Sequence, residues 1–468
     1  MRNTCHWINH KPVTVSISCL LVSLIGSPAW ATDGMNPIAY DARSAGMGGA
    51  NTAVIDHALA ITSNPAGIAL SGANLDLNLT LLTPSLHVRD QVMTPQGAMQ
   101  LNDKDSEGQL FPLLGIAYSM PVSKKLYAGM GIFVQGGMGA HFRGLNTMTD
   151  PDPTTVNQDN EGQPSTYDIK SQIMYIKFAP TVAYRLLDNL ILGASFNVGV
   201  AKMDWRHGAM QFPEPDGDNL YGAQSLNFKS DYALGFSGRF GALLNLLDDN
   251  LRFGASYAMK ASPTFDGTLK INGVPYDAQT EDFAWARELA LGVAGKLFEK
   301  RLTLAADFRW VNWANAVDTV QFDATAKDPS TLPPGMTPAL ALPFQMRWQN
   351  SVVLAFGTEY ALLKDFLFIR AGYNYGKTPA TASGINPLFP PVTQHHLTAG
   401  LGFKDVESGV KMDLAGEYGF TGKVSSSSEN QMAYQPALPG QTPQPNGYSV
   451  DVQMKQLSIY LGLGYDFN

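Results

Sequence analysis

From Gly72 onward, apolar and polar positions alternate with a period of two to the end of the chain. That period puts successive side chains on opposite faces of a strand. Leu75, Leu77, Leu79 and Leu81 make the first apolar row. Ile176, Phe178, Val182 and Tyr184 make another, as do Leu192, Ala194, Phe196 and Val198. Later rows run through Leu251 to Tyr257, Leu302 to Phe308, Val352 to Tyr360, Leu367 to Tyr373 and Val410 to Leu414. The other parity is small or polar and holds nearly all the charge: Arg239, Arg252, Asp307, Arg309, Glu359, Arg370, Lys411, Asp413 and Glu417. An antiparallel all-β fold is predicted. A soluble sandwich would turn the apolar rows inward, whereas a membrane barrel turns them out to lipid.

Three features favour the barrel. The connections alternate in length. Short ones fall near 122–125, 187–189, 247–250, 299–301, 362–365 and 405–409. Long ones fall near 88–107, 140–166, 207–224, 262–282, 323–345, 377–393 and 424–450. Together they imply about fourteen strands with short periplasmic turns and long external loops. Trp205, Trp285, Trp310, Trp313 and Trp348 all fall at the long-loop ends, as an interfacial aromatic girdle would. Finally, Leu457, Ile459, Leu461, Leu463, Tyr465 and Phe467 form a closing strand of the kind read by the outer-membrane assembly machinery, although Asn468 follows the last aromatic.

The beginning of the chain reads as a secretory signal over residues 1–31. Arg2 and Lys11 are its basic part, 13–25 its apolar core, and Ala29-Trp30-Ala31 its cleavage site. A lipoprotein reading of Cys19 is poor, because Ser16-Ile17-Ser18 is a weak lipobox and an apolar run follows. Both cysteines, Cys5 and Cys19, lie in this segment, so the mature chain has no disulfide. Beyond residue 31 acidic residues outnumber basic ones by ten, which argues against nucleic-acid binding. Mean hydropathy is -0.08, and no later stretch has the 18 or so apolar residues of a membrane helix. Gly is frequent, at 45 residues, as suits many turns and tight packing.

Residues 32–72 do not follow the strand rhythm. Their Gly, Ala, Ile and Leu content suggests a plug inside the barrel rather than a disordered periplasmic arm. Here Ala45-Gly46-Met47-Gly48-Gly49-Ala50, followed by Asn64-Pro65-Ala66-Gly67, resembles the N-terminal hatch of the FadL/TodX family of outer-membrane channels for hydrophobic compounds. Gly129, Gly131, Gly136, Gly137 and Gly139, in one strand, are similar to that family's glycine-rich third strand. Arg309-Trp310-Val311-Asn312-Trp313 and Ile369-Arg370-Ala371-Gly372-Tyr373 resemble later strands, so the likeness covers essentially the whole mature chain, with the barrel over 73–468.

The resemblance implies a barrel plugged by the hatch. Long-chain fatty acids or aromatic and aliphatic hydrocarbons would enter from outside. Hatch movement would release them sideways into the membrane at the glycine-rich strand. Transport would be passive, with no cofactor, and no phosphate-cradling motif is present. Lipid and lipopolysaccharide are the surroundings expected for such a barrel. Asn64, Pro65, Ala66 and Gly67 are the hatch motif: Pro65 fixes φ, Gly67 permits positive φ, and Asn64 can bond nearby backbone. Lys202 and Arg206, near the outer rim, are candidate contacts for an acidic headgroup. A barrel lipase would need Ser and His tied by spacing, which Ser351, His395 and His396 do not show, and no HExxH metal motif occurs. Asp216-Gly217-Asp218 reads as a turn rather than a calcium loop. A diffusion porin would need an open lumen.

Overall fold

The computed structural model describes residues 33–94, 97–146, 166–212, 222–333, 336–430 and 448–467. The predicted signal segment and Asp216–Asp218 lie outside them. Among the described residues twenty strands follow one another. They are β1 (Ala73–Thr94), β2 (Gly97–Asp105), β3 (Phe111–Pro121), β4 (Leu126–Asn146), β5 (Thr166–Leu187), β6 (Leu190–Phe212) and β7 (Gly222–Ser230). Next come β8 (Ala233–Leu246), β9 (Leu251–Ala258), β10 (Phe265–Ile271), β11 (Val274–Thr280), β12 (Glu288–Leu297) and β13 (Leu302–Val311). Last are β14 (Thr319–Ala326), β15 (Ala339–Gln345), β16 (Ser351–Leu363), β17 (Leu367–Gly376), β18 (His395–Lys404), β19 (Val410–Ser425) and β20 (Ser449–Phe467).

Fourteen of these make a closed antiparallel barrel: β1, β3 to β6, β8, β9, β12, β13 and β16 to β20. The long β20 pairs back onto β1 from Ala73↔Phe467 to Gln91↔Ser449, so the wall has no free edge. The alternation sets the faces as expected. Phe196, Leu304 and Phe356 are about half exposed on the outer face. Arg239, Arg252, Asp307, Arg309, Glu359 and Arg370 are buried inside.

Two sequence readings need correction. Four of the long external connections, near 88–107, 207–224, 262–282 and 323–345, carry strands of their own, whereas 377–394 is irregular. β2, β7, β10, β11, β14 and β15 extend the wall outward, joined by devices such as the Asn272-Gly273 hairpin turn with φ of 48° and 85°. The tryptophans are also not a girdle, except for Trp310, which faces out on the row of Leu289 and Val352. Trp205, Trp285, Trp313 and Trp348 are buried in an apolar core that these extensions enclose. There Trp205 packs edge-on against Phe322 and Phe344, and Trp285 lies 4.4 Å from Tyr175. Sequence position places a Trp at a strand end, but only parity tells lipid from interior.

Arginine at Phe196, Leu304 or Phe356 is expected to destabilise the barrel by roughly 2–4 kcal/mol, read by urea unfolding in lipid vesicles. Ala355 has the opposite parity and packs with Met47, Ala50 and Ala53. Ala355→Arg is therefore expected to spare the barrel and to expose the N-terminal segment to protease. Equal barrel losses at both parities would contradict the register.

Candidate functional site

Residues 33–71 pack within the barrel and are nearly all buried. They form a five-residue helix (Ala42–Gly46) and two 3-10 turns (Ala58–Thr62 and Pro65–Leu70). Asp41 caps the helix by accepting from the Ser44 amide at 2.8 Å. Asn64 is fully buried and does three things. Its Oδ1 accepts from the Ala66 amide, and its Nδ2 donates to the carbonyls of Thr52 (2.8 Å) and of Ala242 in β8 (3.1 Å). Pro65 opens the turn without an unused N–H. Gly67 does not take a positive φ. It is small because a Cβ there would lie 2.7 Å from the Ile55 carbonyl. On the wall, Gly193 faces Pro65 and Ala66 so closely, and Gly372 faces Gly48 so closely, that neither could carry a side chain.

The inward charges of the barrel hold this segment. Asp307 accepts from the amides of Asn51 and Thr52 and from the Thr52 hydroxyl at 2.7–2.9 Å. Glu359 takes Arg43 in a two-point contact at 2.8 and 2.9 Å and also pairs with Arg370 at 2.7 Å. Arg239 donates to the Ser63 carbonyl and pairs with Glu288 at 3.2 Å. Arg309 pairs with Asp33 at 3.1 Å. His57 sits 3.5 Å from both Asp41 and Asp76. Burial pulls its imidazole down, but the two carboxylates more than offset this and hold it above the usual histidine range.

The glycine-rich strand is β4, the third strand of the wall. Its glycines divide by role. Gly129 leaves space for the Tyr118 carbonyl of β3 and Gly139 for the Ser171 carbonyl of β5, whereas Gly131 meets only ordinary contacts. At Gly136 the ladder is broken. Val134 pairs with Ile176 and Gly136 with Tyr175, leaving Gln135 as an extra residue, a bulge. On its other side, β4 keeps register with β3 only from Tyr127 to Phe133. Above that, β3 continues beside β1, β4 continues beside β5, and the next link is the Glu107 amide to the His141 carbonyl at 2.8 Å. The N-terminal segment fills this break. The Gly137 amide donates to the Met35 carbonyl at 3.1 Å, and Gln135 Nε2 donates to Asn36 Oδ1 at 3.1 Å. Burial pushes Tyr40 well above the usual phenol range, so its hydroxyl keeps its proton and donates to the Gln135 carbonyl at 2.9 Å. A Cβ on Gly136 would run into the Met35 carbonyl.

Met35 belongs to the external apolar core, together with Val134, Met138, Tyr175, Trp205, Trp285 and Phe389. A continuous apolar interior thus runs from the external extensions down to the break. At its lower boundary stands Lys177, buried and inward-facing, opposite Phe133 and Gly199 in register. Among the described residues it has no ion pair or hydrogen bond, and its ammonium lies 5.3 Å from the Tyr175 ring. The sequence reading missed it, although its parity within an aromatic strand was visible. Lys202 and Arg206 share the outward parity of Phe196 and Val198, so neither points into the lumen.

The profile of a family described as "Outer membrane protein transport protein (OMPP1/FadL/TodX)" matches residues 23–467. The chain belongs to that family, whose members are transport channels rather than enzymes. Among solved structures, the P. putida toluene transporter TodX is similar at 19% identity and a TM-score of 0.68, covering 94% of this chain and 100% of that one. A Pseudomonas aeruginosa FadL homologue is similar at 16% identity and a TM-score of 0.69, covering 93% and 100%. The Ralstonia pickettii toluene transporter TbuX is similar at 17% identity and a TM-score of 0.61, covering 93% and 99%. No curated protein sequence matches significantly.

Removing Glu359 leaves two buried guanidinium groups with one carboxylate fewer, which costs about 3 kcal/mol. Glu359→Ala is expected to speed amide exchange over residues 42–56 by about a hundredfold while the barrel strands keep their protection. Unchanged exchange there would show that the wall charges do not seat the segment.

Proposed function

We propose that this chain is a passive outer-membrane channel for hydrophobic compounds, with residues 33–71 as its hatch and the break between β3 and β4 as a sideways exit. The observation that carries this is the interrupted ladder at Gln135, occupied by Met35, Asn36 and Tyr40 of the N-terminal segment. A polar outer leaflet is a poor solvent for a free apolar molecule, and the aromatic interior supplies apolar surface from the outside down to the break. Opening requires only the loss of the Gly137, Gln135 and Tyr40 contacts. At about 1 kcal/mol net for each hydrogen bond, that lies within reach of ligand binding. Movement is down a gradient and needs no nucleotide.

Deleting Gln135 removes the extra residue and lets β4 run straight against both neighbours. The deletion variant is expected to bind apolar ligand from outside but to lose uptake in cells, read by ligand titration of the purified barrel beside transport assays. Full uptake with a correctly assembled barrel would reject the exit at this position. Gly136→Val acts differently: its Cβ strikes Met35, so it is expected to unseat the hatch and raise leak conductance in planar bilayers. A large steady conductance in the unaltered protein would instead mark a diffusion porin.

Lys177 favours substrates that carry a carboxylate, such as long-chain fatty acids, over plain hydrocarbons. A buried ammonium without an anion is costly, and an acid whose chain lies among Tyr175, Trp285 and Phe389 would supply one. Lys177→Met is expected to weaken fatty-acid binding about tenfold while leaving a hydrocarbon of equal length unaffected. Equal effects on both ligands would make Lys177 purely architectural.

A further inference from the structure

The outward face of the barrel changes character at one height on its β5–β6 side. On β5 the outward row runs Phe178, Ile176, Met174, then Gln172 and Lys170. On β6 it runs Phe196, Val198, Val200, then Lys202, Asp204 and Arg206. Met174 is the register partner of Lys202, and Lys170 that of Arg206, so the apolar band ends on both strands together. The upper row then continues across the external extension, from Arg206 to Asn227 of β7 and from Asn227 to Lys270 of β10. Lys170, Arg206 and Lys270 therefore lie in one line across four strands, spanning about 14 Å at the usual strand spacing. Lys229 stands one row lower, opposite Asp204. Lys202 lies lower still, with its ammonium 5.0 Å from the ring of the exposed Tyr232.

Among the described residues none of these five cations makes an ion pair, and the line of Lys170, Arg206 and Lys270 holds no carboxylate, while Asp204 and Asp277 lie in the row of Lys229. Elsewhere on the external wall some cations are matched, as Arg89 is by Asp103 at 2.5 Å and Lys423 by Asp451 at 2.7 Å. Five unmatched positive charges directly above a hydrocarbon-facing band are complementary to a lipid with several phosphates at the base of its headgroup. We propose that this face is a binding site for the phosphorylated glycolipid of the outer leaflet, lipopolysaccharide. Its acyl chains lie on Phe178, Phe196 and Val200, and its phosphates lie on the line of Lys170, Arg206 and Lys270. The length of that line favours a headgroup with two separated phosphates over a phospholipid with one.

The test uses the full purified barrel in detergent, titrated with bisphosphorylated lipid A, dephosphorylated lipid A, phosphatidylglycerol and inorganic phosphate. A combined Lys170→Ser, Arg206→Ser and Lys270→Ser variant is compared with Lys455→Ser, which removes an exposed cation from β20. Heat-dependent gel mobility checks that each barrel is closed. If the triple variant does not assemble, Lys270→Ser alone, in the extension outside the barrel wall, replaces it. Bisphosphorylated lipid A is expected to bind the unaltered protein at least about tenfold more tightly than the triple variant. It is also expected to bind more tightly than the other three probes, and Lys455→Ser is expected to behave as the unaltered protein. Binding by the triple variant within about twofold of the original would overturn the site. Equal affinity for phosphatidylglycerol would overturn the assignment to lipopolysaccharide, and equal loss in Lys455→Ser would reduce the effect to general charge.

Discussion

In a hydrocarbon layer no water is available to a peptide group, so every backbone N–H and C=O must find its partner within the protein. The rest of this structure depends on that constraint. It forces β20 back onto β1 over nineteen residues, since any open edge would face lipid. It also explains why the break between β3 and β4, beside the bulge at Gln135, is not left bare. The Gly137 amide and the Gln135 carbonyl, which have left the regular ladder, are taken up by Met35 and Tyr40. The bulge is completed by the N-terminal segment, and these contacts join that segment to the wall.

Much of the wall was legible in the sequence because lipid imposes a strict code. Leu75 to Leu81, Leu302 to Phe308 and Leu457 to Phe467 alternate with few exceptions, such as the inward Ala305 and Tyr460, and the structure turns each row outward. The inward charges were equally visible, but their partners were not. Glu359 pairs with Arg370 across neighbouring strands and also grips Arg43, three hundred and sixteen residues away in the chain. The external half obeys a different rule. Trp205 and Phe228 lie on strands whose inner face is a dry core rather than a charged lumen, so parity there selects apolar residues inside and cations outside. Lys202 and Arg206 follow that rule, and their parity places them on the outer surface.

The glycines show why composition alone could not resolve the site. Five lie within eleven residues of β4, and the sequence gives no way to rank them. Only the three-dimensional neighbours separate Gly129, beside Ile61 and Ile68, from Gly136, beside the Met35 carbonyl. The motif at Asn64–Gly67 was recognisable by likeness, but the physical reason for its glycine is the nearness of Ile55 and Ala60 rather than backbone handedness.

Residues 42–57 and residues 35–40 are held by unlike forces, with the ion pair of Asp33 and Arg309 ahead of both. Residues 42–57 are tied to the wall by buried ion pairs and charge-assisted hydrogen bonds through Arg43, Asp56, His57, Glu359 and Asp307. Residues 35–40 meet the break in β4 chiefly through neutral hydrogen bonds and apolar contact. Charge-assisted bonds are roughly twice as strong as neutral ones, so a disturbance from the external core is resisted by the first group and yielded to by the second. Met35 lies in that external core, at the point where an apolar ligand descending through it would arrive. Under the proposed function, a ligand would displace only the few residues that close the break, while residues 42–57 stay seated.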